Sequence, residues 1–335
     1  MLAKKIGIDL GTSRVRIHVK GEGIVVDEPS MVALDPGRAR IVAYGKQAAE
    51  MAARGPESVQ VVRPLHEGVI RDLAATEALL RHFIDRVQGR QRIFKPEVMI
   101  CIASGVGTAG RRDLTEAAIS AGARQAWLID EALAAALGAG LEIAQLKGHA
   151  MCVVGAGTTE IAVIAESGTV VARSIPTGGD RMDAAIAAHL RREHSVYIDE
   201  HTAEQLKISS GAALPVSSPP VIVVDGVDAS SGSPKSVQLD ANEIVEAIEE
   251  CLRPIAAAVR DVLDETPPRL AADVRQRGFV LTGGAAQLAG LDRYLSMQAG
   301  IPARLAAQPA TSVVMGAGMA LESFEVLKRD HSYVR

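Results

Sequence analysis

The sequence predicts an α/β protein built from two similar lobes. Near the amino terminus, residues 6–13 form an apolar strand that ends in the glycine turn GTS. Half a chain later, residues 150–160 repeat this design around the turn GAGTT. A third glycine turn, TGGA at residues 282–285, ends another apolar run. Two copies of one strand–turn–strand pattern indicate duplicated lobes that face each other across a cleft.

The turns also indicate the chemistry of the cleft. Glycines in a tight strand turn allow backbone N–H groups to point into a gap, where they can cradle a polyphosphate. Each turn alone is equally compatible with a conformational need for glycine. The pair is more specific and favours phosphate groups held from two sides.

Composition narrows the class of protein. With 335 residues, of which 48% are hydrophobic and 23% charged, the chain can form two sizeable cores. A net charge of −4 argues against a nucleic-acid partner. The three cysteines, Cys101, Cys152 and Cys251, accompany apolar runs and are expected to be reduced. Because no apolar run reaches spanning length and no signal peptide is recognisable, we expect a cytoplasmic chain.

Periodicity predicts the main helices. Residues 72–87 carry apolar side chains at helical spacing, and residues 47–53 form a short alanine-rich helix. Residues 243–263 have the pattern of a long amphipathic helix, which we expect Pro254 to interrupt.

Several further stretches reveal a resemblance. They are GEGIV at 21–25, DEPS at 27–30, RPL at 63–65 with GVI at 68–70, GGDR at 178–181 and LTGG at 281–284. Together with the hairpins, they make the chain similar to the bacterial actin family of MreB and Mbl, from about Lys5 to Glu322. The resemblance implies an actin-like, duplicated ribonuclease H-like α/β fold with four subdomains. The expected subdomains are residues 1–31, 66–147 and 311–335 (IA), 32–65 (IB), 148–179 and 236–310 (IIA), and 180–235 (IIB).

The resemblance also implies the ligand, which is ATP or GTP with Mg²⁺. The expected nucleotide-binding residues are Gly11, Thr12, Ser13, Gly155, Gly157, Thr158, Thr159, Gly179, Asp180, Glu204, Lys207, Gly283 and Gly284. Asp9 is expected to contact the metal, and Glu131, with Thr158, to position the attacking water.

Four of these residues have simpler interpretations. Asp9 follows a strand and could be only a turn residue. Glu131 begins a helix, where the helix dipole favours any acid. Glu204 and Lys207 are three apart and could form an exposed ion pair. The resemblance favours the functional interpretation in each case.

The sequence departs from the family at Val153. Relatives have aspartate there, and that carboxylate helps hold the metal's water shell and the nucleophile. Because phosphoryl transfer depends on metal and positioning, we expect retained nucleotide binding with weakened hydrolysis. Ala156 and Ala285 also replace glycines, and Arg14 is expected to be solvent-exposed rather than bound to a phosphate.

Residues 89–96 place Ile93 and Phe94 among three cations. These apolar residues could enter a bilayer or could simply start the next strand. The family's membrane-insertion loop falls at this position, so the resemblance implies peripheral attachment to the cytoplasmic membrane. It further implies homopolymeric filaments and partners in cell-wall synthesis and cell shape. A small-molecule kinase or chaperone-type ATPase of the same superfold is the alternative. The chain shows no sugar-site insertion that would favour it.

Overall fold

The computed structural model describes residues 3–37, 40–54, 59–89 and 94–322. In these ranges the strands are β1 (Lys5–Leu10), β2 (Arg14–Val19), β3 (Gly23–Pro29), β4 (Val32–Asp35), β5 (Arg40–Tyr44), β6 (Gln60–Val62), β7 (Leu65–His66), β8 (Val69–Ile70), β9 (Glu97–Ile102), β10 (Gln125–Asp130), β11 (His149–Val154), β12 (Thr159–Ala165), β13 (Gly168–Ile175), β14 (Val196–Tyr197), β15 (Val221–Asp228), β16 (Pro234–Asp240), β17 (Phe279–Thr282) and β18 (Ala303–Leu305). The helices are α1 (Gly45–Arg54), α2 (Leu73–Gln88), α3 (Thr108–Ser120), α4 (Glu131–Gly138), α5 (Gly179–His194), α6 (Glu200–Ser210), α7 (Ala241–Glu265), α8 (Pro268–Arg277), α9 (Leu291–Ala299) and α10 (Ser312–Glu322).

Two five-stranded sheets carry the duplication that the glycine turns predict. The first sheet has the order β3-β2-β1-β9-β10, and the second has β13-β12-β11-β17-β18. In each sheet three antiparallel strands are followed by two parallel ones. The hairpins β1–β2 and β11–β12, here the first and second hairpins, therefore hold equivalent places. The lobes are two copies of one topology.

A shared core joins the two sheets. Helices α4 and α10 pack so closely that a Cβ atom on Gly138 or Gly316 would overlap the backbone of the opposite helix. Around them a single apolar cluster takes Met99 and Ile129 from the first sheet and Val153 from the second. Because both faces of the central strands are covered, these strands are almost continuously apolar.

Two three-stranded sheets lie apart from the large ones. Strands β5-β4-β6 form one with α1, and β14-β15-β16 form the other. A two-residue turn at Glu67 and Gly68, here the cleft turn, joins β7 to β8. Both of its residues have positive φ, 48° and 72°. The subdomain bounds stay a prediction.

Helix α7 differs from its prediction, because it runs unbroken through Pro254. A proline inside a helix removes one backbone hydrogen bond and usually kinks or ends the helix. Here Leu252, Ile255 and Val259, on either side of the proline, are buried in the second-lobe core. Tertiary packing therefore outweighs the local preference.

Candidate functional site

A cavity of about 370 Å³ lies between the tips of the two hairpins. Its volume is within the range of small-molecule sites. Its walls contain seven of the residues that the sequence predicts to be functional: Asp9, Gly11, Thr12, Glu131, Gly155, Gly157 and Thr158. The structure thus brings together residues that lie up to half a chain apart.

Both hairpin turns close in the same way. The Gly11 N–H donates to the Arg14 carbonyl at 3.0 Å, and the Gly155 N–H donates to the Thr158 carbonyl at 2.9 Å. The same cross-strand register flanks the two turns. The predicted pair of facing glycine turns is therefore present, with matched backbone geometry.

The hairpin tips meet the cleft turn. A Cβ on Gly157 would lie 2.5 Å from Thr12 Oγ1 and 3.1 Å from the backbone of Glu67. The Gly68 N–H donates to Thr12 Oγ1 at 3.4 Å. Since no side chain fits at position 157, glycine there allows three separate segments to approach one another.

Two ion pairs also cross the cleft. Arg181 on α5 lies 3.2 Å from Glu67, and Arg63 lies 3.5 Å from Glu200 on α6. Arg63 and Arg181 are both exposed by more than a third. Because exposed pairs contribute little free energy, these contacts orient the cleft turn more than they stabilise it.

Asp9 lies buried at the end of β1 with one cationic partner. Burial raises the pKa of its carboxyl to about 6, against the opposing effect of Arg16. Arg16 stands directly across the hairpin, and its Nη1 lies 3.6 Å from Asp9 Oδ2. The carboxylate faces the cavity in a place where a bound cation would favour its charged form.

Glu131 occupies the first residue of α4 and lines the same cavity. Burial raises the pKa of its carboxyl well above the usual range, and the charges of Glu160 and Asp9 raise it further. The dipole interpretation explains its position but not this environment. A carboxyl whose pKa is raised toward neutrality is suited to proton transfer.

Glu160 is a second buried acid next to this site, and the sequence analysis missed it. Its Oε2 accepts hydrogen bonds from the Ser104 N–H at 3.0 Å and from the Ser104 hydroxyl at 2.6 Å. Its Oε1 is buried without a partner, and burial raises the pKa of the carboxyl. An acid within the otherwise apolar strand β12 was the sequence signal that could have identified it.

Val153 is only 2% exposed and stands directly across the hairpin from Glu160. It holds the place in the second hairpin that Asp9 holds in the first. Its side chain belongs to the apolar cluster between the sheets. The second hairpin therefore offers the cavity no carboxylate from this strand position.

Four of the predicted nucleotide-binding residues form a second group around the start of α5. They are Gly179, Asp180, Glu204 and Lys207. Lys207 Nζ donates to the Gly179 carbonyl at 3.1 Å and pairs with Asp183 at 2.7 Å. Lys207 therefore pairs with Asp183, and not with Glu204 as in the simpler interpretation. Glu204 lies near enough for its charge to raise the pKa of Asp183, although burial is the main cause of that pKa, which is about 6. Asp183 is the residue that sequence spacing did not reveal.

The amino terminus of α5 is partly occupied by the second hairpin. The N–H groups of Gly179 and Asp180 donate to the carbonyls of Gly155 and Ala156, at 3.0 and 2.9 Å. These two donors are therefore not free for a ligand, contrary to the sequence expectation. They instead fix the second hairpin to the helix.

The remaining predicted residues support the turns. Thr159 is fully buried and donates its hydroxyl to the Thr177 carbonyl at 2.7 Å. The Ser13 carbonyl accepts from the Ser30 N–H at 2.8 Å. Gly283 has φ +97° and lies against the backbone of Val154, whereas nothing lies within 4 Å of a Cβ added to Gly284. Gly284 is therefore the one of these four that borders open space.

The donor set fits a nucleotide with Mg²⁺. Glycine turns on both sides of the cavity suit the approach of phosphate oxygens, and Thr12 and Thr158 add hydroxyls. Asp9 supplies one carboxylate, which suffices for Mg²⁺ when phosphates and water complete its shell.

Comparison with known proteins identifies the family. Residues 3–329 match the family model described as MreB/Mbl protein. The chain belongs to the MreB/Mbl family. It is 39% identical to the cell shape-determining protein Mbl of Bacillus subtilis (strain 168), over 98% of this chain and 99% of that protein. It is 42% identical to the cell shape-determining protein MreB of Escherichia coli (strain K12), over 97% of this chain and 95% of that protein.

A solved structure gives the same result for the fold. MreB5 of Spiroplasma citri bound to AMPPNP superposes with a TM-score of 0.91 at 30% identity, covering 98% of this chain and 99% of that one. The prediction of an actin-like α/β fold of the MreB/Mbl family is confirmed.

The structure describes only part of the predicted membrane loop. Ile93 lies outside the described residues, whereas Phe94 is 56% exposed and precedes the exposed Lys95. Phe94 does not belong to β9, which starts at Glu97. Among the helices that the structure describes, none is long and apolar enough to cross a bilayer.

Proposed function

We propose that this MreB/Mbl-family chain is a nucleotide-binding actin homologue that assembles into filaments. In this proposal ATP or GTP binds with Mg²⁺ in the cavity between the hairpins. The observation that carries it is the meeting of two matched glycine turns with Asp9 and Glu131 around one cavity. The similar structure of MreB5 from Spiroplasma citri contains AMPPNP, which supports a nucleotide as the ligand of this chain.

The proposal assigns a role to each group of residues at the cavity. The turns at Gly11 and Gly155 hold the phosphates through backbone N–H groups. Asp9 would hold Mg²⁺, and Glu131 would orient the attacking water with help from Thr158. The bound metal supplies charge neutralisation at the phosphates. Lys207 and Glu204 border the base, and Gly284 leaves room beside it.

Hydrolysis in this proposal is slow. The second hairpin has Val153 where the first has Asp9, so only one of the paired strand ends provides a carboxylate. Nucleotide binding depends mainly on backbone N–H groups, which a side-chain change leaves in place. Turnover depends on water and metal positions, so it is the more sensitive quantity.

The filaments are proposed to lie on the inner face of the cytoplasmic membrane. Exposed Phe94 beside Lys95, with Ile93 and two arginines just before it in sequence, supports insertion into anionic lipid. The related proteins named cell shape-determining support a task in cell-wall organisation and cell shape. The four-subdomain division of the chain is part of the same proposal.

Sedimentation tests the proposal. Purified protein is centrifuged with and without ATP or GTP, Mg²⁺ and vesicles of anionic or neutral lipid. We expect nucleotide-dependent pelleting that increases with anionic vesicles, and Phe94→Ser should lose only the vesicle-dependent part. Soluble monomers that transfer phosphate to a small molecule would contradict filament function and favour the kinase alternative.

A further inference from the structure

A second cluster of functional side chains lies far from the nucleotide cavity. Helix α5 ends at His194, and His189 stands five residues before it. Glu243 occupies the first turn of α7 beside them. One potential metal-binding atom from each residue lies within 4.8 Å of the others. Three such atoms from two helices therefore converge on one point.

The distances suit a tetrahedral cation. Glu243 Oε2 lies 2.6 Å from His194 Nε2 and 3.5 Å from His189 Nε2. Zinc bound to nitrogen or oxygen at roughly 2.0–2.1 Å requires neighbouring ligand atoms about 3.4 Å apart. One contact already has this length, and the other has to lengthen by less than about 1 Å.

His189 provides the independent sign of a missing ligand. His189 is only 7% exposed, and its Nε2 atom is buried without a hydrogen bond of ordinary geometry. A buried imidazole nitrogen that is left unpaired costs free energy. The nitrogen faces the same carboxylate oxygen as His194, but at 3.5 Å, which is longer than an ordinary hydrogen bond.

Glu243 can bind a metal without losing its structural contact. Its Oε1 accepts the Asp240 N–H at 3.1 Å, which completes the capping box of α7. Its Oε2 is the atom that faces the histidines. The two oxygens therefore have separate tasks, and the capping contact fixes the orientation of the potential metal ligand.

The cluster borders an open cavity in which acidic side chains outnumber basic ones. Glu246, Glu249 and Glu250 line it, and so does Arg253, which pairs with Glu249. Arg192 lies 3.5 Å from His189 Nδ1 and also pairs with Glu193. Because Arg192 is exposed, it can turn away when Nδ1 carries the proton that an Nε2-bound metal requires.

We propose that His189, His194 and Glu243 form a Zn²⁺ site that ties the carboxyl end of α5 to the amino end of α7. Two imidazoles and one carboxylate are a donor set that Zn²⁺ accepts, with water in the fourth position. The amino end of α5 contacts the second hairpin, so the ion stabilises the helix on which that hairpin rests.

The experiment uses the full chain after treatment with a chelator. Zn²⁺ affinity is measured by competition with a chromophoric chelator, and Co²⁺ is added to detect four-coordinate visible absorption. We expect one ion per chain and a rise in Tm with Zn²⁺. The variants His194→Asn and Glu243→Gln should each lower the affinity at least tenfold.

The variants distinguish binding from folding. Glutamine at 243 can keep the capping box, so the metal-free Tm of Glu243→Gln should stay near that of the wild type. His201→Asn, an exposed histidine on α6, is the matched control and should bind Zn²⁺ normally. Absence of stoichiometric uptake, or wild-type affinity in both variants, would overturn the site.

Discussion

The two hairpins share a backbone but differ in one cross-strand pair. In the first, Asp9 faces Arg16; in the second, Val153 faces Glu160. Directly opposed residues of antiparallel strands lie on one face, so each hairpin has one acid at this place, on opposite strands. Asp9 lines the cavity with a cation beside it, whereas Glu160 is hydrogen-bonded to Ser104. The fold thus has a symmetric pair of glycine turns, whereas the charges beside them are asymmetric.

The largest effect is expected from Asp9→Asn, measured as stability without Mg²⁺. Burial raises the folded-state pKa from 3.8 to about 6, so the native state holds the proton more tightly. That stabilisation is complete below about pH 4 and is lost as pH rises through about 6. Asparagine does not titrate, so the Asp9→Asn variant does not lose this stability as the pH rises. Between pH 4 and pH 7.5, its free energy of unfolding should gain up to about 3 kcal/mol relative to the wild type.

Urea unfolding at the two pH values measures this gain. The difference between the two proteins reports the loss of the Asp9 carboxyl, together with the smaller effect that its charge has on the pKa of Glu131. An equal difference at pH 4 and pH 7.5 would show that Asp9 is not the buried acid of the first hairpin.

Gly157→Ala tests whether the close approach of the two hairpins matters. The added methyl group would collide with Thr12 and with the backbone of Glu67. We expect the nucleotide Kd to rise at least tenfold, about 1.4 kcal/mol. Calorimetric titration measures it, with Gly37→Ala as the control, because a Cβ there meets only an ordinary contact with Asp35. Unchanged affinity would mean that the tips need not touch.

Val153→Asp makes the second hairpin resemble the first. We expect phosphate release under polymerising conditions to increase several-fold, since a second carboxylate then borders the metal. Asparagine matches aspartate in size, and burying it should cost a similar folding free energy, but it carries no charge. Phosphate release by Val153→Asn should therefore remain slow. Equal rates for wild type and Val153→Asp would refute the explanation of weak turnover.

Glu160→Gln tests the acid of the second hairpin through its neighbour. The charge of Glu160 raises the pKa of Glu131, after the larger effect of burial. Removing that charge should move the pH dependence of phosphate release toward lower pH. If Glu160→Gln left the pH profile unchanged, the charge of Glu160 would have no effect on the group that controls phosphate release.

The smallest effect is expected from Arg14→Ala. Arg14 lies at the tip of the first hairpin and pairs with Asp27 at 2.6 Å, with both side chains 42% exposed. An exposed pair contributes less than about 1 kcal/mol, so nucleotide affinity should change less than about fivefold. A larger loss, measured by the same titration, would mean that Arg14 reaches a phosphate.

Much of the fold followed from local pattern. Alternation and glycine turns gave both hairpins, because strand period and turn chemistry are local properties. The helix predicted at residues 72–87 is present as α2, Leu73–Gln88. Helix α7 was predicted with a break at Pro254, because the burial that holds it straight comes from distant segments.

Less of the candidate site could be predicted. Spacing on α6 suggested that Glu204 pairs with Lys207, whereas Lys207 reaches across to Asp183 on α5. Glu160 was missed although it interrupts an apolar run, and the sequence does not show that Ser104 lies beside it. Partner choice and burial depend on segments that are distant in sequence.

The sequence by itself determined the duplicated glycine turns, the presence of Asp9 and Glu131, and the absence of a carboxylate at Val153. These are matters of residue type and local spacing, which no packing can change. Only the tertiary structure decided that the turns meet through Gly157, that Glu131 and Glu160 share a buried environment, and that His189, His194 and Glu243 converge. Proximity and burial arise when helices and sheets pack together, so the charge state and partners of these groups depend on the whole fold.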